Sequence, residues 1–162
     1  MSKTKSILKR YSLLREYNVL SNVKVRVDGE EHIFDELMIG HFGILCLTTF
    51  NGKGELFGNE HDDFFILLSK NKTKREQTDN LIKKSLKDEE VLRKILSANK
   101  IYSIKIEKGI VIENKWCCAM IPGNSVPVFT LETLKKHLNC GKYDIDYKIN
   151  VDAILNAINA AK

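Results

Sequence analysis

The sequence has no long apolar run and no leader-like start. Its longest apolar stretch, Ile44–Phe50, is the size of a strand, whereas a membrane-spanning helix needs about 20 apolar residues. The first residues, 1–5, lead into a charged amphipathic segment and not into the uninterrupted apolar stretch of a signal peptide. We therefore expect a cytoplasmic protein that does not associate with a membrane.

Sequence motifs for metal, redox and phosphate chemistry are also missing. The four cysteines form no C-x-x-C pair and the four histidines are scattered, so we expect free, buried thiols and no zinc site. The glycines around Gly54 are not followed by the Lys-Ser/Thr of a phosphate-binding loop and indicate a hairpin turn. For the stretch 116–118 (Trp-Cys-Cys), we expect a strand that packs one side into the core.

The overall composition is that of one globular domain. The chain has 162 residues, of which 43% are hydrophobic and 29% charged, which predicts a single folded unit over residues 1–162. The 26 Lys and Arg against 21 Asp and Glu give a net charge of +5. This mildly basic balance permits contact with nucleic acid but does not require it.

Apolar periodicity predicts alternating strands and helices. Helices are predicted over Ser6–Tyr17, Lys74–Asn99, Thr130–Leu138 and Val151–Ala161. Strands are predicted over Val19–Val27, His32–Ile39, Ile44–Phe50, Phe64–Leu68, Ile101–Ile106, Ile110–Glu113 and Val126–Phe129. A meander followed by a crossover helix and more strands predicts an α/β fold with a mixed central sheet flanked by helices.

Two helices carry specific packing expectations. The first is expected to bury Leu13 and Leu14 on the same side as Leu8. The long helix is expected to pack a stripe that includes Leu86 and Leu92.

The segment Phe34–Asn51 resembles the core of the nuclease-related domain (NERD) family. In that family an Asp opens a strand, a Gly-x-Phe-Gly turn follows, and a buried strand ends in Glu-x-Lys-Asn. Without a gap, Asp35 falls on the aspartate, 40–43 (Gly-His-Phe-Gly) on the turn and Asn51 on the asparagine. Weaker similarity extends over roughly residues 18–138 and aligns Gln77 with a glutamine that opens a family helix.

This resemblance implies a restriction-endonuclease-like fold of the PD-(D/E)xK type. In such nucleases the Asp and Glu hold a divalent metal, usually Mg²⁺, the Lys assists the attacking water, and a further Glu lies on the first helix. Hard oxygen ligands suit Mg²⁺, which stabilises charge on the scissile phosphate.

The catalytic positions are altered in this chain. The Glu position is Thr48 and the Lys position is Phe50, so a hydroxyl and a benzyl ring replace a carboxylate and an ammonium on one strand face. The first helix reads Thr-Lys-Ser over 4–6, without the acid. Of the family set only Asp35 remains, and one carboxylate is a poor Mg²⁺ site. We therefore predict no bound metal and no cofactor, with Asp35, Thr48, Phe50 and Gln77 as relict positions.

Asp35 also has an ordinary structural interpretation, as an aspartate at the start of a strand that is bonded to backbone or to a nearby lysine. A second possibility is that acids from neighbouring positions supply the missing metal ligands. The acids in question are Glu31, Glu36, Glu55, Asp62 and Asp63. Their spacing does not favour it, because Glu36 points to the opposite face from Asp35, and Glu55 and Asp62 lie beyond a Gly-rich turn.

A basic run lies at the predicted start of the long helix. It consists of Lys70, Lys72, Lys74 and Arg75. Such a patch could contact phosphates, or it could be a solvated helix start balanced by nearby acids. Few aromatic residues are close in sequence to stack on bases.

Two function classes follow. The first is a catalytically inactive nuclease-like domain that acts by binding protein or nucleic acid. The alternative is a divergent metal-dependent nuclease that uses Asp35 with migrated acids and Mg²⁺. The sequence does not identify the partner.

Overall fold

The computed structural model describes residues 2–122 and 125–162 and forms two sheets with four α-helices. Residues 1, 123 and 124 lie outside the described part. The helices are α1 (Lys3–Ser12), α2 (Leu81–Ala98), α3 (Leu131–Leu138) and α4 (Val151–Ala161). The strands are β1 (Asn18–Val27), β2 (Glu30–Gly40), β3 (Gly43–Phe50), β4 (Gly54–Phe57), β5 (Phe64–Leu68), β6 (Arg75–Asp79), β7 (Ile106–Ile112), β8 (Cys117–Met120) and β9 (Val128–Thr130).

The larger sheet has the order β1-β2-β3-β7-β9. Strands β1, β2 and β3 form an antiparallel meander, whereas β7 and β9 run parallel to β3. A parallel pairing needs a long crossover connection, and between β3 and β7 this connection contains β4, β5, β6 and α2. The predicted α/β class, with a mixed sheet flanked by helices, is confirmed.

Strand β3 lies at the centre of this sheet, as its apolar sequence predicts. Its first six residues are all buried, because helices cover both faces of the sheet. On one face α2 and α4 pack against Phe34, Leu37 and Cys46. On the other, α1 and α3 pack against Met38 and Leu45.

The smaller sheet has the order β6-β5-β4-β8. Only β5 among its strands was predicted with these bounds; β4 and β6 were not predicted as strands. Its inner face, with Leu56 and Phe65, joins Ile110 and Ile112 of the larger sheet in a third apolar cluster. Burial of Leu56 therefore selects β4, whereas the mostly exposed β6 forms by pairing with β5; local periodicity distinguishes neither strand from a turn.

The first helix is shorter than predicted, and its two leucines are not buried. Helix α1 ends at Ser12, whose hydroxyl donates to the Leu8 carbonyl at 2.7 Å. The chain then turns, and Leu13 and Leu14 are 79% and 92% exposed. The prediction that both pack on the side of Leu8 is wrong, because the helical spacing stops one residue before them.

The long helix begins later than predicted. Asn80 caps α2, since its side-chain oxygen accepts hydrogen bonds from the backbone N–H groups of Ile82 and Lys83. The charged stretch before it pairs antiparallel with β5 as β6. The helix prediction for 74–79 is wrong, because Lys, Arg, Glu and Gln are good helix formers but here complete a sheet edge. Leu86, expected in the packed stripe, is 40% exposed.

The strand predicted over Ile101–Ile106 is wrong for residues 101–105, which lie in no strand. Strand β7 begins at Ile106 and runs through Gly109 without a turn into the strand predicted from Ile110. The ring of Phe129 crosses this glycine: a Cβ there would lie 2.7 Å from its edge. The C-terminal predictions are close, since α4 has its predicted bounds and Thr130 caps α3 with a capping box.

All four cysteines are free thiols. Cys46 is buried and Cys117 half-buried, but Cys118 and Cys140 are exposed. The expectation of buried thiols is therefore wrong for the last two.

Candidate functional site

Asp35 lies where β2 and β3 separate. The pairing of these strands begins at Glu36 with Leu47, and Asp35 precedes Glu36 on β2, beside Thr48. Asp35 is thus in the middle of β2 and not at its start. Its Oδ2 accepts a hydrogen bond from the Thr49 backbone N–H at 2.9 Å. Its Oδ1 lies 3.6 Å from the Lys84 ammonium of α2. The structure thus shows the ordinary contacts expected of a strand aspartate: backbone and a lysine.

Helix α2 brings a second carboxylate to the same place. Asp88, one helical turn after Lys84, is completely buried, and the Lys84 Nζ lies 3.4 Å from its Oδ1. One ammonium is therefore shared by two carboxylates from different elements. We call His32, Asp35, Thr48, Lys84 and Asp88 the buried charge cluster.

Each oxygen of Asp88 has two polar neighbours. Oδ1 lies 2.5 Å from the His32 Nε2 and also faces Lys84. Oδ2 accepts from the Thr48 hydroxyl at 3.0 Å and from the Cys46 thiol at 3.8 Å. A buried carboxylate is stable only when paired and hydrogen-bonded, and Asp88 meets both conditions.

The neighbouring thiol is strongly affected by this environment. Burial, and then the negative charge of Asp88, raise the pKa of Cys46 well above its ordinary value. A thiol with a raised pKa is a poor nucleophile and a poor metal ligand. Cys46 therefore acts here as a buried hydrogen-bond donor.

Thr48 and Phe50 have different surroundings. Thr48 is completely buried and bonded to Asp88. Phe50 is half-buried and packs against the apolar cluster between the two sheets. A Cβ on Gly52 would lie 2.5 Å from the end of the Phe50 ring, so the turn after β3 closes over this side chain. The cation beside Asp35 is Lys84, and Phe50 supplies no polar group.

A separate pair of carboxylates lies near the start of α1. Glu113 accepts from the backbone N–H and hydroxyl of Thr4 at 2.9 and 3.0 Å. Glu36 accepts from the hydroxyls of Ser2 and Ser21. Burial raises the pKa of Glu36, although both hydroxyls favour its charged form. Glu36 thus contacts α1 while Asp35 contacts α2, as the alternation of the strand predicts.

The other acids considered as replacement metal ligands make contacts elsewhere. Glu31 pairs with Lys24 and Arg26. Asp63 pairs with Lys83, and Asp62 accepts from the Asn59 backbone. Glu55 lies on β4 and lines a groove of the smaller sheet. Within 2–122 and 125–162, no group of three His, Cys, Asp or Glu residues is arranged to hold a metal ion.

Gln77 does not open a helix. It lies on β6, opposite Ile66 of β5. The expectation that Gln77 opens a helix is therefore wrong, because the helix starts only after Asn80.

The basic run forms a hairpin turn. Ser69 and Lys74 close the turn through a backbone hydrogen bond of 2.9 Å, and Arg75 begins β6. Lys70 and Lys72 are exposed within it. The run is thus at one end of the smaller sheet and not at the start of a helix.

Sequence reasoning missed Lys84 and Asp88, although a signal was present. Asp88 falls three residues after Ser85 and four before Leu92, on the buried stripe of α2. A charged residue at a core position of a helix requires a partner, and Lys84 lies one turn away at i−4. Only the folded chain shows that Asp35 shares this partner.

Three comparisons with known proteins complete the description. A family model described as the nuclease-related domain matches residues 2–113, which is more than half of the chain. No curated protein matches, and no solved structure matches. In the described residues, no helix is both long and apolar enough to cross a bilayer.

Proposed function

This chain belongs to the nuclease-related domain family, and we propose that it is a catalytically inactive member that acts by binding protein or nucleic acid. The observation that carries the proposal is the Lys84 ammonium, which lies 3.6 Å from Asp35 and 3.4 Å from Asp88. The cationic partner of the remaining family aspartate is a side chain of the protein itself.

The donor set around Asp35 does not fit a divalent metal. Mg²⁺ prefers carboxylate and water oxygens in octahedral geometry, but Thr48 uses its hydroxyl to donate to Asp88. Phe50 offers no ligand atom. The Asp35 Oδ2 is already bonded to the Thr49 backbone. A metal would have to displace Lys84 and re-orient Thr48.

Displacing Lys84 would cost free energy. Removing one partner from a buried ion pair typically destabilises a protein by about 3–5 kcal/mol. Lys84 is 27% exposed, which reduces that figure, but Asp88 is completely buried. At millimolar concentration a weakly held Mg²⁺ would not compensate for this loss.

A cytoplasmic location and a single domain over residues 1–162 remain predictions alongside this function.

Calorimetric titration with Mg²⁺ and Mn²⁺ tests the metal side of the proposal. We expect no binding in the millimolar range, and the same flat titration for Asp35→Asn. A carboxylate-dependent binding isotherm for the unmodified protein, lost in Asp35→Asn, would overturn it.

The alternative function is a divergent metal-dependent nuclease, and one observation favours it. Asp35, Asp88 and Lys84 supply two acids and a lysine side by side, which are the residue types that the family uses. Here the lysine and one acid come from α2 and not from β3. This alternative predicts Mg²⁺- or Mn²⁺-dependent cleavage of DNA or RNA.

The two functions are separated by a cleavage assay on supercoiled, linear and single-stranded substrates. The inactive domain leaves all three intact. The alternative requires cleavage that chelator abolishes and that both Asp35→Asn and Asp88→Asn remove. Lys87→Gln is the matched control, because Lys87 is on the same helix but pairs with the exposed Glu90.

A further inference from the structure

The smaller sheet gathers basic residues from three separate chain segments at one end of its strands. Strands β4 and β8 are parallel, so both begin at this end. Strand β5 ends there and β6 begins there, because each pairs antiparallel with its neighbour. We call this end of the smaller sheet, where the strand termini meet, the basic edge. It is defined by Lys53, Lys70, Lys72, Lys74, Arg75 and Lys115.

The only tryptophan of the chain lies at the same edge. Trp116 directly precedes β8 and its side chain is 63% exposed. Its backbone is held on both sides: the N–H donates to the Asn114 side chain at 2.9 Å, and the carbonyl accepts from the Gly54 N–H at 3.0 Å. A large aromatic ring is therefore displayed to solvent from a fixed position.

A groove of about 1040 Å³ runs along this edge, lined among others by Lys53, Lys70, Lys115 and Trp116. The Lys115 ammonium lies 5.1 Å from the Trp116 ring centroid, within range of a cation–π contact. The groove shares no residue with the buried charge cluster. It is thus a second candidate site in the molecule.

The charges of the basic edge are not neutralised by the protein. Among residues 2–122 and 125–162, none of its six cationic side chains takes part in an ion pair within 4.0 Å, whereas Lys84, Lys87, Lys94 and Lys108 of the α2 region all do. The nearest acids in sequence are Glu55, which lines the groove, Glu76 on β6, and Glu113, which is buried and bonded to Thr4. Like charges held together without partners favour a polyanionic ligand.

We propose that this groove binds single-stranded nucleic acid, with phosphates along the basic edge and a base stacked on Trp116. A basic groove beside an exposed aromatic ring is the arrangement that binds single strands without sequence preference. A duplex keeps its bases stacked on each other, so it offers phosphates but no free base face to Trp116. An acidic peptide offers charge alone and gives no reason for the exposed ring. This inference rests on the proposed binding function, since it names the ligand class.

The test is fluorescence anisotropy with a labelled 20-nucleotide oligo-dT, and with the oligo-U counterpart, in EDTA. Trp116→Ala is expected to weaken binding by roughly 5- to 150-fold, as for loss of a base–aromatic stack of about 1–3 kcal/mol. Tyr102→Ala is the matched control, because Tyr102 is 67% exposed and lies outside the groove. In the unmodified protein, oligo-dT should also quench Trp116 fluorescence.

The electrostatic part is tested with two triple variants of equal charge change. Lys53→Gln/Lys70→Gln/Lys115→Gln should lower the salt slope, log Kobs against log[salt], by about 2 relative to the unmodified protein. Lys9→Gln/Lys136→Gln/Lys162→Gln removes three exposed lysines elsewhere and should leave the slope unchanged. Equal effects of the two triples would overturn the proposal, since only net charge would then matter.

The remaining outcomes separate this inference from the proposed function. No binding of oligo-dT or oligo-U, binding that Trp116→Ala leaves unchanged, or preference for duplex overturns the groove assignment and leaves the inactive centre intact. Metal-dependent cleavage overturns the proposal that the domain is catalytically inactive, while the groove variants still decide where the nucleic-acid strand binds.

Discussion

Replacement of Lys84 by methionine tests the central electrostatic argument. Methionine keeps most of the apolar stem but removes the ammonium that Asp35 and Asp88 share. At an effective dielectric constant of about 20, each attraction at 3.4–3.6 Å amounts to roughly 5 kcal/mol before desolvation is subtracted. The variant leaves two neighbouring carboxylates, one of them completely buried, without their common cation.

The net loss is smaller than the gross attraction. Exposed pairs contribute about 0.2–1 kcal/mol and broken buried pairs cost about 3–5 kcal/mol. Lys84 is 27% exposed and Asp35 23%, so we place the loss between these limits, at about 2–4 kcal/mol. In a domain of this size, each kcal/mol lowers the Tm by about 2–4 °C.

Urea denaturation at pH 7 measures this change, with Lys87→Met as control. Within the described part of the chain Lys87 pairs with Glu90 alone, and both are roughly half-exposed, so loss of this pair should cost about 0.5 kcal/mol or less. A double-mutant cycle with Asp88→Asn should show a coupling energy of about 1–3 kcal/mol, because the two residues are in contact. Millimolar Mn²⁺ should restore part of the lost stability in Lys84→Met only. A loss for Lys84→Met no larger than for Lys87→Met would refute the reasoning.

Two further predictions concern titratable groups. Burial raises the pKa of Glu36 in the folded state, so its contribution to stability is greatest at low pH and is lost as pH rises through that pKa. Relative to the unmodified protein, Glu36→Gln should therefore gain stability between about pH 4 and pH 7, measured by urea midpoints; a constant difference across this range would contradict it. Among the thiols, Cys118 and Cys140 should react quickly with a maleimide, Cys117 more slowly, and Cys46 only after unfolding. Mass spectrometry of tryptic peptides identifies the order, and early labelling of Cys46 would show that its surroundings open in the native state.

Local sequence signals predicted the larger sheet and the C-terminal helix well. Strand β3 is a run of apolar residues, and all of them can be buried only in the middle of a sheet that is covered on both faces. Helix α4 begins after Asn150, a good capping residue, and its bounds follow from that cap and the apolar period. The same signals failed at 74–79, where charged residues with helical preference form β6 because β5 offers a free edge. Helix propensity is a weak guide to secondary structure where pairing with a neighbouring strand decides it.

What the sequence by itself determined is the family framework. It also predicts, from the resemblance, that Thr48 and Phe50 replace the charged catalytic pair. Asp35, Thr48 and Phe50 lie within the hairpin of β2 and β3, so their relative placement follows from strand periodicity and the short turn between the strands. Only the tertiary structure decided what surrounds Asp35, because Lys84 and Asp88 come from a helix more than 40 residues away along the chain. It likewise decided that Lys53, Lys70, Lys115 and Trp116 share one edge. Long-range pairing of strands, which no local pattern encodes, places these four residues together.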